Sequence, residues 1–354
     1  MPLHCCWNKH YLSERRFYIM LHNTKPAVPK PMGKRPAATR ILTFLLFLAL
    51  TLCQASTAQA ASTRPSDVKK AGSGNILVGV SGTYEQASKA AILKRINEIR
   101  KEACNNGYPN PSGNGRKLTP SDYVPMKWSS NLEWIAQLRA AECTVNESHT
   151  RPNGLDCFSI HHNNEQSWAE NLAWNYSGLM AGIEQWYEEK NDWVSQNQSA
   201  VTGHYTSLIN PNYKYIGLGS FVRSTGGWYG VAGEFSSSNA GSGSQSKVKG
   251  KYVQTIEAKK KNVQKLTLSA PSSIKAKKTK TLSVSCKVSY PGIMGGTNTT
   301  NAKILKGVTW SSSKPSVLSI NSKGKITAKK AGKATITAKV KGMKTLKKTI
   351  KVTK

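Results

Sequence analysis

Tyr215-Ile-Gly-Leu-Gly-Ser-Phe-Val222 and Gly227-Trp-Tyr-Gly-Val-Ala-Gly-Glu-Phe235 are two short β-prone runs joined by Arg223-Ser-Thr-Gly226. They decide the fold class because of what precedes them. Between Tyr84 and Cys104, where order is expected to begin, Ala91, Ile92, Ile96, Ile99 and Ala103 form one stripe at helical spacing. Ser130-Asn-Leu-Glu133 has the pattern of a capping box, and Leu132, Ile135, Ala136 and Ala140 continue it as the inner face of a second helix. A third helix is expected from Ala181 to Val194, with Ile183, Trp186, Tyr187, Trp193 and Val194 inward. Helices first and strands after them argue an α+β domain rather than a doubly wound sheet. Seven Trp between Trp128 and Trp228 mostly sit beside aliphatic residues, which reads as core packing rather than a sugar-stacking row.

Outward from this segment the chain changes character in both directions. The 354 residues carry a net charge of +33, and the excess lies at the ends. Residues 1–70 contribute +9, residues 71–246 contribute −2 and residues 247–354 contribute +26. On the amino-terminal side, Lys34, Arg35 and Arg40 precede the apolar run Ile41–Leu52, which is too short for a hydrocarbon core needing ~20 residues. Ala58-Gln59-Ala60 follows, so residues 1–60 read as a signal peptide region, with Met32 the expected start and Ala61 the first mature residue. Residues 61–82 read as linker. Cleavage would remove Cys5, Cys6 and Cys53 and leave Cys104, Cys143, Cys157 and Cys286 in an export context that permits disulfides. By sequence distance the nearest pair is Cys143 and Cys157, and two buried free thiols are the alternative.

On the carboxyl-terminal side, Ser236–Ser246 is Ser/Gly-rich, and residues 236–262 read as a flexible linker. Short β-prone runs then follow at Val263–Leu268, Thr281–Val288, Val308–Trp310, Val317–Ile320, Lys325–Ala328, Ala334–Val340 and Thr345–Val352, the pattern of an all-β sandwich over residues 263–354. Every basic residue after position 246 is Lys, and only Tyr252, Tyr290 and Trp310 could stack on bases. Base-edge readout favours Arg, so no nucleic-acid partner is expected; an anionic wall polymer or membrane surface suits the charge better, beside the plain reading of a solvated basic face.

Four ionisable residues in the α+β segment stand outside simple amphipathic stripes. His149 lies in Ser148-His-Thr-Arg-Pro-Asn-Gly154, Glu170 in Trp168-Ala-Glu-Asn-Leu-Ala173, Glu189 in Trp186-Tyr-Glu-Glu-Lys190 and His204 in Gly203-His-Tyr-Thr206. Two imidazoles and two carboxylates can hold a divalent metal or exchange protons near neutral pH, though their spacing alone does not unite them. His161-His162 reads as a polar loop.

Taken in order, these four motifs and the Asn97-Glu-Ile-Arg100 of the first helix resemble the CAP superfamily of cysteine-rich secretory proteins over residues 83–235. The resemblance implies a three-layer α-β-α sandwich with a cleft lined by His149, Glu170, Glu189 and His204, Glu188 being the weaker match for the second Glu. Ser207 and Asn210-Pro211 stand where the eukaryotic signature continues to Gln and Trp, a form similar to the bacterial branch. Val308–Val317 and Gly324–Thr337 resemble bacterial Ig-like domains of group 2, with Tyr290–Lys303 longer than the usual loop. Together they imply a secreted, surface-associated bacterial protein that binds an unknown ligand without catalysis, its Ig-like module acting as spacer or tether. The alternative is an extracellular hydrolase acting on peptide or cell-wall material, with Zn²⁺ on His149, His204 and one carboxylate, and the other carboxylate as general base.

Overall fold

A strand expected to be linker lies at the centre of the fold. The computed structural model describes residues 61–354 apart from residues 114, 239 and 240, so the signal segment inferred for residues 1–60, with Cys5, Cys6 and Cys53, lies outside the described residues. In chain order the first domain contains β1 (Ser62–Arg64), β2 (Asn75–Glu85), α1 (Lys89–Asn105), β3 (Lys127–Trp128), α2 (Ser130–Cys143), β4 (Ala169–Asn175), α3 (Leu179–Glu188), α4 (Lys190–Val194), α5 (Gly203–Ile209), β5 (Tyr215–Arg223), β6 (Tyr229–Ser236) and β7 (Gly250–Lys259). The second contains β8 (Val263–Ser269), β9 (Ser273–Lys275), β10 (Thr279–Thr281), β11 (Ser283–Pro291), β12 (Thr297–Ile304), β13 (Val308–Ser312), β14 (Leu318–Ile320), β15 (Lys325–Ala328), β16 (Gly332–Val340) and β17 (Leu346–Thr353).

Ile76, Leu77, Val78 and Val80 of β2 are all buried. A strand covered on both faces carries a continuous apolar run rather than an alternation, and Gly and Ser around this one disguise it as linker. The assignment of residues 61–82 to linker is corrected accordingly. One edge of β2 pairs with β7 from Asn75↔Lys259 to Tyr84↔Gly250. Its other edge pairs with β5 through Gly82–Glu85 and with β12 through Val78 and Gly79. The main sheet runs β4-β6-β5-β2-β12-β11-β8, which makes β4 an end strand.

Glycines set the spacing between layers. A Cβ on Gly217 would stand 1.9 Å from the Glu133 amide nitrogen, one on Gly219 2.5 Å from that of Gln137, and one on Gly230 2.6 Å from the Ala140 carbonyl. Glu133, Gln137 and Ala140 follow one another along a single side of α2, so the helix backbone rests directly on β5 and β6. On the opposite face, Ile92, Ile96 and Ile99 of α1, Ile183 and Trp186 of α3 and Leu208 of α5 form a second core with Ile216, Leu218 and Val231. The first domain is thus the expected three-layer α-β-α sandwich within an α+β fold.

Local details differ from the expected ones. Ser129, not Ser130, caps α2, accepting from the Leu132 amide at 3.3 Å. The Glu133 carboxylate instead accepts from the Ser246 amide and hydroxyl, each at 2.8 Å, and from Trp128 Nε1 at 3.0 Å. Ser242 N donates to Ser130 Oγ at 3.0 Å. The described part of the Ser/Gly stretch is therefore docked on α2, and β7 occupies much of what was expected to be flexible linker. The helix expected through Val194 breaks at Glu189, and Val194 is exposed. Trp128 and Trp186 are core residues, whereas Trp168 is exposed.

All seven expected runs of the second domain are strands, and Leu282, Leu318, Ile326, Ile336, Ile350 and Val352 form its core. The stretch Tyr290–Lys303, expected to be loop, holds most of β12, whose Lys303↔Gly79 and Ile304↔Val78 pairs join the two domains in one sheet. Arg223 Nη1 donates to Thr300 Oγ1 at 2.6 Å, Asn298 Nδ2 to the Thr144 carbonyl at 2.9 Å, and the Tyr290 hydroxyl to the Pro152 carbonyl.

Candidate functional site

Because β4 ends the sheet, side chains from both helical layers can meet around it. Successive β4 residues face opposite layers. Glu170 turns toward the α2 layer, where its Oε1 lies 2.7 Å from His149 Nδ1. Asn171 turns the other way, and its Nδ2 donates to the His204 carbonyl at 2.9 Å. His204 Nδ1 lies 2.5 Å from Glu189 Oε1, while Glu189 Oε2 accepts from the amides of His204 and Tyr205 at 2.9 and 3.1 Å. Those amides begin α5 and have no partner within the helix, so Glu189 caps α5 and orients its imidazole at once. The two imidazoles face each other with ring centroids 6.4 Å apart and planes inclined by 24°. All four expected site residues therefore converge, as two His–carboxylate pairs.

The loop bearing His149 is held by buried charges. Arg139 of α2 donates to Glu170 Oε2 at 2.5 Å, to Glu142 Oε2 at 2.9 Å and to the Ser148 carbonyl at 3.0 Å. Glu142 also accepts twice from Arg151, which reaches both oxygens of Asp67 at 2.8–2.9 Å. Gly154, at φ +87°, closes the Pro152-Asn-Gly turn, and Asn153 Nδ2 donates to Glu257 Oε2 of β7 at 2.8 Å. Burial would raise the Glu170 carboxyl, but the Arg139 guanidinium and the His149 hydrogen bond hold it well below the usual range.

Glu234 at the site escaped the sequence reading, and Cys157 was read there only as a disulfide candidate. Glu234 of β6 pairs across the sheet with Glu170 and is buried. Desolvation, then the Glu170 charge, push its carboxyl well above the ordinary value, so it is the protonated member of the pair. The only sequence signal was an acidic residue at a position whose strand neighbours are apolar. Cys157 Sγ lies within 4.8 Å of donor atoms of both His149 and Glu170. Burial raises its thiol far above the usual range, the opposite of an activated nucleophile.

The Cys143–Cys157 bridge is not formed, and all four cysteines among the described residues are free and buried. Cys143 Sγ points along its own helix to the Ala140 carbonyl and packs on Gly230, whereas Cys157 faces the His149 pair. The free-thiol alternative holds. His162 stacks on Trp134, with ring centroids 4.1 Å apart.

Glu234→Gln tests the protonated carboxyl. A folded-state value above the unfolded ~4.3 means that folding takes up a proton, so wild-type stability falls as pH rises between the two values, by about 1.4 kcal/mol per unit. The neutral variant lacks that slope. Urea unfolding at pH 5 and pH 8 should show the variant gaining on wild type at the higher pH; an unchanged difference would place the proton elsewhere.

Residues 93–237 match the family model for the cysteine-rich secretory protein family, CAP, and residues 293–352 that for the bacterial Ig-like domain, group 2. Venom allergen 5 of Vespa velutina is 27% identical over 186 residues, covering 51% of this chain and 82% of the allergen. Its counterpart from Vespa mandarinia is 26% identical over 165 residues, covering 44% and 76%. Among solved structures, venom allergen-like protein 4 of Schistosoma mansoni aligns at 19% identity and TM-score 0.31, covering 45% of this chain and 97% of that one. No described helix is long and apolar enough to cross a membrane. The chain thus joins a domain of the cysteine-rich secretory protein family to a bacterial Ig-like domain of group 2.

Proposed function

We propose that this is an exported bacterial binding protein, taking a ligand between His149 and His204 without catalysis and held by its Lys-rich second domain against anionic polymer at a cell surface. The observation that carries the cleft reading is the facing pair of imidazoles, each with Nδ1 on a carboxylate. With Nδ1–H donating to Glu170 or Glu189, Nε2 of each ring is left as the acceptor for a ligand. A divalent ion such as Zn²⁺ fits this donor set. His149 and His204 would hold it through neutral nitrogens, with Glu170 and Glu189 as the orienting carboxylates behind them. Such an ion would supply a Lewis-acidic point for a ligand oxygen.

Against hydrolysis stands the engagement of both carboxylates, Glu170 with Arg139 and Glu189 with two helix amides, which leaves neither placed as a general base. The test is Zn²⁺ titrated calorimetrically into the full chain. We expect binding that weakens at least about tenfold in His149→Ala/His204→Ala. It should weaken on acidification too, because imidazole ligates only when neutral. Affinity unaffected by the double variant would overturn the metal version. Turnover of peptide or peptidoglycan that this variant abolishes would overturn the non-catalytic reading.

A further inference from the structure

We infer that the junction between the two domains contains a binding groove for a phosphate-rich polyanionic strand. The inference rests on the reading that the Lys-rich domain meets anionic polymer, and it locates that contact. A cavity of about 530 Å³ lies where the loop before β2 meets the end of β7, the β12–β13 turn and the end of β16. Lys69, Lys70, Lys260, Lys306 and Lys341 line it, two from the loop before β2, one from just after β7 and two from the second domain.

No carboxylate lines this cavity. The nearby Glu257 is buried, its oxygens accepting from the Gly72 amide at 2.6 Å and from Asn153 Nδ2 at 2.8 Å. Asp67, the only acidic residue in the strap from Ala61 to Asn75, is taken up by Arg151. Five lysines thus line one concavity whose lining holds no carboxylate. Lys306 Nζ donates to the Lys69 carbonyl at 2.9 Å, which ties the strap to the second domain and keeps one cation at the junction.

Shape and chemistry select the occupant. The volume lies in the range of small-ligand sites, so it admits a few units of an extended polymer. A flat lipid surface cannot follow a recess between two domains. Arg, which grips planar carboxylates through two parallel hydrogen bonds, is absent from the lining, whereas Lys acts as a point charge suited to phosphate.

The test uses the full chain and short inorganic polyphosphate as probe, at ~0.1 M salt. Lys70→Gln/Lys260→Gln/Lys341→Gln removes groove charge while leaving Lys306 in place. Lys329→Gln/Lys330→Gln/Lys333→Gln removes equal charge at the start of β16, roughly 26 Å of strand away from its groove end at ~3.3 Å per residue. The groove variant should bind about tenfold more weakly with a shallower salt dependence, and the distal variant within about twofold of wild type. Equal weakening by both variants would overturn the groove and leave the general charge reading standing. No polyphosphate binding by wild type would overturn both. Vesicles of phosphatidylglycerol and phosphatidylcholine supply the remaining arm: vesicle binding lost in the groove variant while polyphosphate binding is kept would replace the polymer by a lipid surface.

Discussion

Arg139→Met should destabilise the folded protein by about 3–5 kcal/mol, because it leaves carboxylates buried without their counter-charge. The side chains of Arg139, Glu142 and Glu170 have no solvent exposure, so water cannot replace the lost guanidinium. Its fork also holds the Ser148 carbonyl, so the His149 loop should loosen in the same variant. Lys is no substitute, since one ammonium cannot reach both carboxylates and a carbonyl in this geometry. The pH dependence identifies the partner. The Glu170 carboxyl is depressed in the folded state, so its contribution is present above the unfolded value near ~4.3 and is lost as pH falls through the folded one. Without Arg139 that contribution is missing already, and the gap between wild type and variant should narrow in acid. Urea unfolding at pH 7 and pH 3 measures it; a loss under about 1 kcal/mol at pH 7 would mean that the charges are compensated elsewhere. Adding Glu170→Gln to the variant should recover part of the loss by removing one stranded carboxylate.

Gly217→Ala should cost about 3 kcal/mol through contact alone. Gly217 is not among the positive-φ residues, so Ala meets no backbone strain there. What it meets is the α2 backbone, 1.9 Å from the new Cβ, and a helix backbone cannot rotate aside as a side chain would. The helix must lift from β5, carrying Arg139 and the His149 loop with it. Gly203→Ala is the control: the site is open, and its stability should change by less than about 1 kcal/mol. Comparable thermal stability of the two variants would show that α2 can shift on the sheet at little cost, and that the glycine trough does not set the layer spacing.

Much of this protein is readable from its residues alone, where neighbours along the chain decide the outcome. The stripe from Ile92 to Ala103 marks the buried face of α1, and the runs between Val263 and Val352 mark strands, because helical and strand periodicities are properties of ten or so consecutive residues. His149, Glu170, Glu189 and His204 stand out by motif. Only the tertiary structure decided that β2 is the central strand, that β12 carries the sheet from one domain into the next, and that the Ser/Gly stretch binds Glu133. It alone also showed that Cys157 and Glu234 stand beside Glu170 and that Asp67 anchors the site through Arg151, 84 positions away. These depend on groups far apart in sequence, brought together only after the chain has met the entropy cost of closing long loops, and no local pattern records such a contact. A buried carboxylate reads as a solvated one until the fold removes its water.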